Sequence, residues 1–176
     1  NSNDGLTSFG TVDITESSGD LDFTITANTT NLGSINADIH EFYFNLTFDA
    51  TNLEISDFTP IALNPPESSL EIPPTIAGSA GSGFDYGINF GNGEPYYSQL
   101  SFTLSALENL TIANLLESST TNNTPSILMA VHFQSTGVFD ATSETVGGNV
   151  APVPEPATML LFGTGLAGLA GLARRK

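Results

Sequence analysis

Apolar and polar residues alternate one for one along much of the chain, the period of a half-buried β-strand. Residues 21–27 (LDFTITA) set Leu21, Phe23, Ile25 and Ala27 on one face. Residues 42–48 (FYFNLTF) turn Phe42, Phe44, Leu46 and Phe48 inward and leave Tyr43, Asn45 and Thr47 outward. The same pattern gathers Phe84, Tyr86, Ile88 and Phe90, then Leu100, Phe102 and Leu104, and finally Ile127, Met129, Val131 and Phe133. Up to residue 157 no window carries a convincing amphipathic helix. The pattern predicts an all-β body of antiparallel strands in a two-layer β-sandwich or jelly roll, each strand with one wet face.

An internal echo supports this plan. FNLTFDATNLEISDF (44–58) and LSFTLSALENLTIANL (100–115) both run from a strand through a short turn into a similar motif. Asn52, Leu53, Ile55 and Phe58 correspond to Asn109, Leu110, Ile112 and Leu115. Two copies suit two corners at which the chain passes between sheets. Residues 64–83, rich in Pro, Gly and Ser, read as a long loop with little to bury.

Charge narrows the function classes. The chain has 176 residues, 19 Asp and Glu, 3 Lys and Arg, and a formal charge of -16. All three basic residues, Arg174, Arg175 and Lys176, end the chain, so the preceding 173 residues hold no Lys or Arg. Nucleic acid is excluded as a partner, because phosphate binding needs a basic footprint. The same reading leaves no salt bridge in the body. The absence of Cys removes disulfides, thiol catalysis and Cys-ligated zinc. The chain opens at Asn1 with no apolar leader and reads as a mature product after signal removal.

Candidate chemistry is sparse. The two imidazoles are His40, between Ile39 and Glu41, and His132, between Val131 and Phe133, and each reads as a single histidine on a strand's outer face. No G-x-S-x-G or H-E-x-x-H occurs, and two histidines alone make a poor zinc site. The chain is read as a non-enzyme. Glu94, Tyr96 and Tyr97 form the cluster that most resembles a sugar-binding loop, with a surface turn as the plainer account. For calcium, Asp20, Asp22, Asp38, Glu41, Asp49 and Asp57 supply hard oxygen donors, but no D-x-[DN]-x-[DN]-G loop arranges them. Calcium is therefore expected chiefly as diffuse binding to an acidic surface, and the identity of any metal site stays open.

The tail changes the picture. APVPEP (151–156) is a stiff spacer, and Ala157 to Ala173 is apolar throughout before the three cations. As a helix this run would be about 26 Å long at about 1.5 Å per residue, close to a bilayer core of roughly 30 Å. Charge asymmetry predicts the basic end in the cytoplasm and the body outside. Pro154, Glu155 and Pro156, the apolar Gly/Ala/Leu run and the basic terminus together resemble the PEP-CTERM sorting signal of Gram-negative bacteria, over roughly residues 152–176. The resemblance implies a secreted protein anchored in the inner membrane and handed to an exosortase. Pro154, Glu155 and Pro156 would be the recognition motif, and Arg174, Arg175 and Lys176 the stop-transfer cluster. It also implies an association with exopolysaccharide and biofilm.

The organisation expected is thus a secreted β-sandwich over residues 1–150, a Pro-rich spacer over 151–156, and a single transmembrane sorting helix with basic end over 157–176. The role expected is structural, at the cell surface or in the extracellular matrix. Two other classes stay open. One is a carbohydrate- or calcium-dependent binding module. The other is a self-assembling filament or membrane-complex subunit, in which a strand edge or the loose segment 1–20 pairs with a neighbouring copy.

Overall fold

The computed structural model describes residues 8–60, 63, 68–74, 83–91, 95–119, 127–135 and 143–148. Among these residues nine strands follow in chain order: β1 (Gly10–Ser17), β2 (Asp20–Ala27), β3 (Asp38–Phe44), β4 (Glu54–Thr59), β5 (Ser69–Glu71), β6 (Tyr86–Asn89), β7 (Gln99–Ser105), β8 (Met129–Gln134) and β9 (Ser143–Gly148). They form two antiparallel sheets, one ordered β1-β2-β7-β4 and the other β5-β6-β3-β8-β9. A short 3-10 turn, Ile112–Leu115, precedes β8. The tail run 157–173 lies outside the described residues; among those, no helix is long and apolar enough to cross a membrane.

Phenylalanines join the two sheets. Phe23 on β2 stacks on Phe102 of β7 at 4.9 Å, and both approach Phe42 of β3, at 5.6 and 6.1 Å. Phe44, Tyr86, Phe58 and Phe90 extend the cluster, and Leu21, Ile25, Leu100 and Leu104 fill between the rings. Rings at such separations add edge and offset-stacking attraction to the area they bury.

All five runs of alternation occupy interior positions of the sheets, as β2, β3, β6, β7 and β8. The four edges, β1, β4, β5 and β9, carry a sparser apolar pattern. Part of the segment read as loose, residues 10–17, is β1, paired with β2 over its full length. The stretch read as a long loop contains β5.

Strand β3 begins and ends earlier than the expected 42–48. Its start is tied down: the Ile39 N–H donates to the Tyr97 carbonyl at 2.9 Å, and the Tyr97 N–H to Asp38 Oδ1 at 2.7 Å. Beyond its end, the buried Asn45 amide takes over from the ladder. Asn45 Oδ1 accepts from the Asp85 N–H at 2.6 Å, and Nδ2 donates to the Gly83 and Ser118 carbonyls at 3.3 and 3.2 Å.

The echoed segments diverge in form and meet in space. The first crosses from β3 into β4, in the other sheet, while the second leaves β7 and becomes the 3-10 turn. They clasp each other: Leu107 N–H donates to the Thr51 carbonyl at 2.9 Å, Thr51 N–H to Glu108 Oε2 at 3.0 Å, and Thr47 N–H to the Asn114 carbonyl at 2.9 Å.

Asn45 is only 1% exposed and ties the end of its strand to two other segments, so Asn45→Ala removes three part-buried hydrogen bonds at once, from the Asp85 N–H and to the Gly83 and Ser118 carbonyls. The expected loss is about 1–2 kcal/mol, from the usual net worth of such hydrogen bonds, discounted because water can reach the freed partners. It should appear in urea unfolding as a lower midpoint with an unchanged slope. A loss below about 0.5 kcal/mol would show that the backbone re-pairs without the amide.

Candidate functional site

The site arises from one irregularity in strand pairing. Ile39 pairs with Phe133 and Glu41 with His132, which leaves His40 as the extra residue of a β-bulge. In a regular strand Ile39 and Glu41 would share a face. The bulge breaks that rule: Ile39 stays in the core, while the neighbours His40 and Glu41 both turn to the outer face of the five-stranded sheet. On β8, Val131 and Phe133 face the core, which sends His132 to that same outer face.

Strand register then lines up a polar row across the whole sheet. Ser69, Asn89, Glu41, His132 and Thr145 are successive ladder partners from β5 to β9. The next row is Glu71, Gly87, Tyr43, Ala130 and Gly147. Its two glycines make room for a cover. A Cβ on Gly87 would lie 2.5 Å from Pro74 and 3.2 Å from the Tyr43 ring, and one on Gly147 would lie 2.5 Å from Ile127 Cδ1. Tyr43, Phe84, Ile127 and Ala130 form a second, small apolar cluster on this side. The central outer face is consequently not wet. His40, Glu41 and His132 are 7%, 6% and 6% exposed.

The three side chains point at one another. Glu41 Oε2 accepts from His132 Nδ1 at 2.8 Å and from the Tyr43 hydroxyl. Glu41 Oε1 lies 3.8 Å from His40 Nε2. The other ring nitrogen of His40, Nδ1, bonds the Gly91 carbonyl. A carbonyl oxygen can only accept, so Nδ1 carries the proton and, in the neutral ring, Nε2 presents its lone pair to Glu41. The imidazole rings meet edge to face at 5.3 Å. One ligand atom from each residue can be chosen with all three within 4.8 Å of one another.

Burial is the largest single influence on Glu41 and pushes its carboxyl up. The hydrogen bonds from His132 and Tyr43, with the charges of both histidines, outweigh burial and hold the carboxyl below its ordinary 4.5. Asp38 goes the other way: burial raises it, against the Tyr97 N–H and the His40 charge. The expectation of a body without ion pairs is corrected here. The lack of Lys and Arg excludes only their salt bridges, and the histidines approach Glu41 at ion-pair distance.

The singled-out residues fare differently. His40 and His132 face outward as read, but they are buried and together rather than solvated and apart. Tyr96 is 39% exposed, whereas Tyr97 packs against the core, and Glu94 lies outside the described residues. Asp22 accepts the Thr103 hydroxyl at 2.7 Å, and Asp49 and Asp57 are exposed. Pro154, Glu155, Pro156, Arg174, Arg175 and Lys176 also lie outside the described residues.

Residues 152–176 match the PEP-CTERM protein-sorting motif. No curated protein and no solved structure matches the chain. The chain therefore carries a sorting signal, which marks it for export, for membrane anchoring and then for processing by an exosortase.

A carboxyl lowered on folding contributes stability above its unfolded pKa and loses that contribution as pH falls through its folded value. In chelator-treated buffer, Glu41→Gln should cost most stability above the ordinary 4.5, and the gap to wild type should close as the pH drops below it. Asp38, shifted the opposite way, is common to both proteins and cancels from the difference. Urea midpoints measured at stepped pH check this. A gap that is flat, or that widens in acid, would refute the assignment.

Proposed function

We propose that this chain is a non-enzymatic structural protein of the cell surface or extracellular matrix, delivered there by its tail. The observation that carries this reading is the sorting motif at residues 152–176 behind an all-β body. A chain with 19 carboxylates and no Lys or Arg before Arg174 suits a hydrated polymer matrix, where like charge keeps copies apart and soluble. Exopolysaccharide is the matrix component proposed as its surroundings, and exosortase as its processing partner. Calcium would act on such a protein by screening and bridging exposed carboxylates.

One observation favours a second reading, self-assembly through a strand edge. Strand β1 is an eight-residue edge, paired to β2 on one side, and much of it is exposed. Natural edges are commonly blunted by Lys, and β1 carries none, only the carboxylates of Asp13 and Glu16. In this reading β1 adds a strand from another copy.

Two measurements test these readings. In the native host, protein recovered from the cell surface should have lost mass from the motif onward. Alanines at Pro154, Glu155 and Pro156 should leave the chain at full mass in the membrane fraction. Equal processing of both, or none of either, would remove the support for tail-directed delivery. For self-assembly, size exclusion across a concentration series should show association that Val12→Lys weakens. A strict monomer at millimolar concentration would end that second reading.

A further inference from the structure

We propose that His40, Glu41 and His132 bind one divalent transition-metal ion of the zinc class, through His40 Nε2, the Glu41 carboxylate and His132 Nδ1. The donor set makes the case first. Two imidazole nitrogens and one carboxylate suit a borderline ion such as Zn2+, whereas calcium takes six to eight oxygens. Metal–ligand bonds of about 2.0–2.2 Å place tetrahedral donors about 3.3 Å apart. His132 Nδ1 now lies 2.8 Å from Glu41 Oε2 and His40 Nε2 3.8 Å from Glu41 Oε1, and one donor atom from each residue can be chosen with all three inside 4.8 Å, so modest rotations of the side chains suffice. The ion would take the place of the proton that now joins His132 Nδ1 to Glu41, the ring then carrying its one proton on Nε2, and water would complete the shell.

The surroundings are those of metal ligands. A ligating histidine usually donates its other N–H to a carbonyl or carboxylate, which fixes the tautomer and ring angle. His40 does so through Gly91. Ligating carboxylates are in turn hydrogen-bonded, and the Tyr43 hydroxyl serves Glu41. The donors stand on two paired interior strands, and the bulge brings two of them from adjacent positions. Rigid elements hold such a constellation better than loops do. An ion here would tie β3 to β8 in a chain that has no cysteine for a disulfide.

The test uses the full chain, stripped with chelator and titrated with Zn2+, with Ca2+ at matched ionic strength as control. Calorimetry should give one saturable Zn2+ site per chain, and the melting temperature should rise with Zn2+ well beyond the Ca2+ response, by mass action on the folded state. His40→Gln and His132→Gln should each weaken that site by at least about 100-fold, since losing even a supporting partner costs up to that much. Should either variant fail to fold, Co2+ bound to the wild type decides: intense visible absorption from low coordination supports the site, and a pale octahedral spectrum overturns it. Weak, many-site binding that is alike for Zn2+ and Ca2+, or that His40→Gln leaves intact, would assign the metal to surface carboxylates. The cluster would then be a hydrogen-bonded network only, and the proposal would fall.

Discussion

All seven residues of β3 are buried, so each polar group on that strand must find its partner inside the protein. An unpaired buried polar group costs of the order of 1–3 kcal/mol, and a buried charge costs more. Each polar residue therefore commits another segment. Asp38 commits the main chain at Tyr97, His40 the carbonyl of Gly91, and Glu41 commits His132, with the Tyr43 hydroxyl of its own strand as a second partner. Just past the strand, Asn45 commits Gly83, Asp85 and Ser118. The apolar side of β3 fixes the sandwich through Phe42 and Phe44, and its polar side fixes the loops around it.

The charge distribution follows the same constraint. With no Lys or Arg in the first 173 residues, a carboxylate drawn inside can be stabilised only by N–H groups, hydroxyls and histidine. Glu41 has two histidines and a tyrosine hydroxyl, and its carboxyl is held low; Asp38 has one N–H and the charge of His40, and burial wins. The two histidines, the body's only cationic candidates, are thus placed beside Glu41, a carboxylate only 6% exposed.

The sequence read well where burial is one-sided and dense. Phe23, Phe42, Phe102 and Val131 alternate cleanly because both neighbours of their strands press them into the core. Edge strands β1, β4, β5 and β9 escaped because half their partners are missing and their apolar positions thin out accordingly. The outer cover escaped for another reason. Tyr43 and Asn45 alternate as wet positions, and only tertiary contact with Phe84, Ile127 and Pro74 makes that face dry. The site was least legible of all. It depends on pairing two strands 91 residues apart at Glu41 and His132, and on a bulge that makes neighbours share a face. The adjacent His-Glu pair at 40–41 was the signal available, and strict period-two reading splits it across the sheet.

Tail and body therefore rest on different kinds of inference. The tail is a local message: a three-residue motif, an apolar run and terminal cations, all contiguous within residues 152–176. Such a message is readable without a fold and says where a chain is sent, not what its body does there. The body's chemistry is non-local and exists only once β3 and β8 have paired. A sorting signal could be joined to a different domain and keep its meaning, whereas His40 or His132 on an isolated strand would be an ordinary solvated imidazole. Whatever specific role this protein has beyond its destination must be sought on the folded sheets, and the enclosed polar row across β3 and β8 is where their chemistry concentrates.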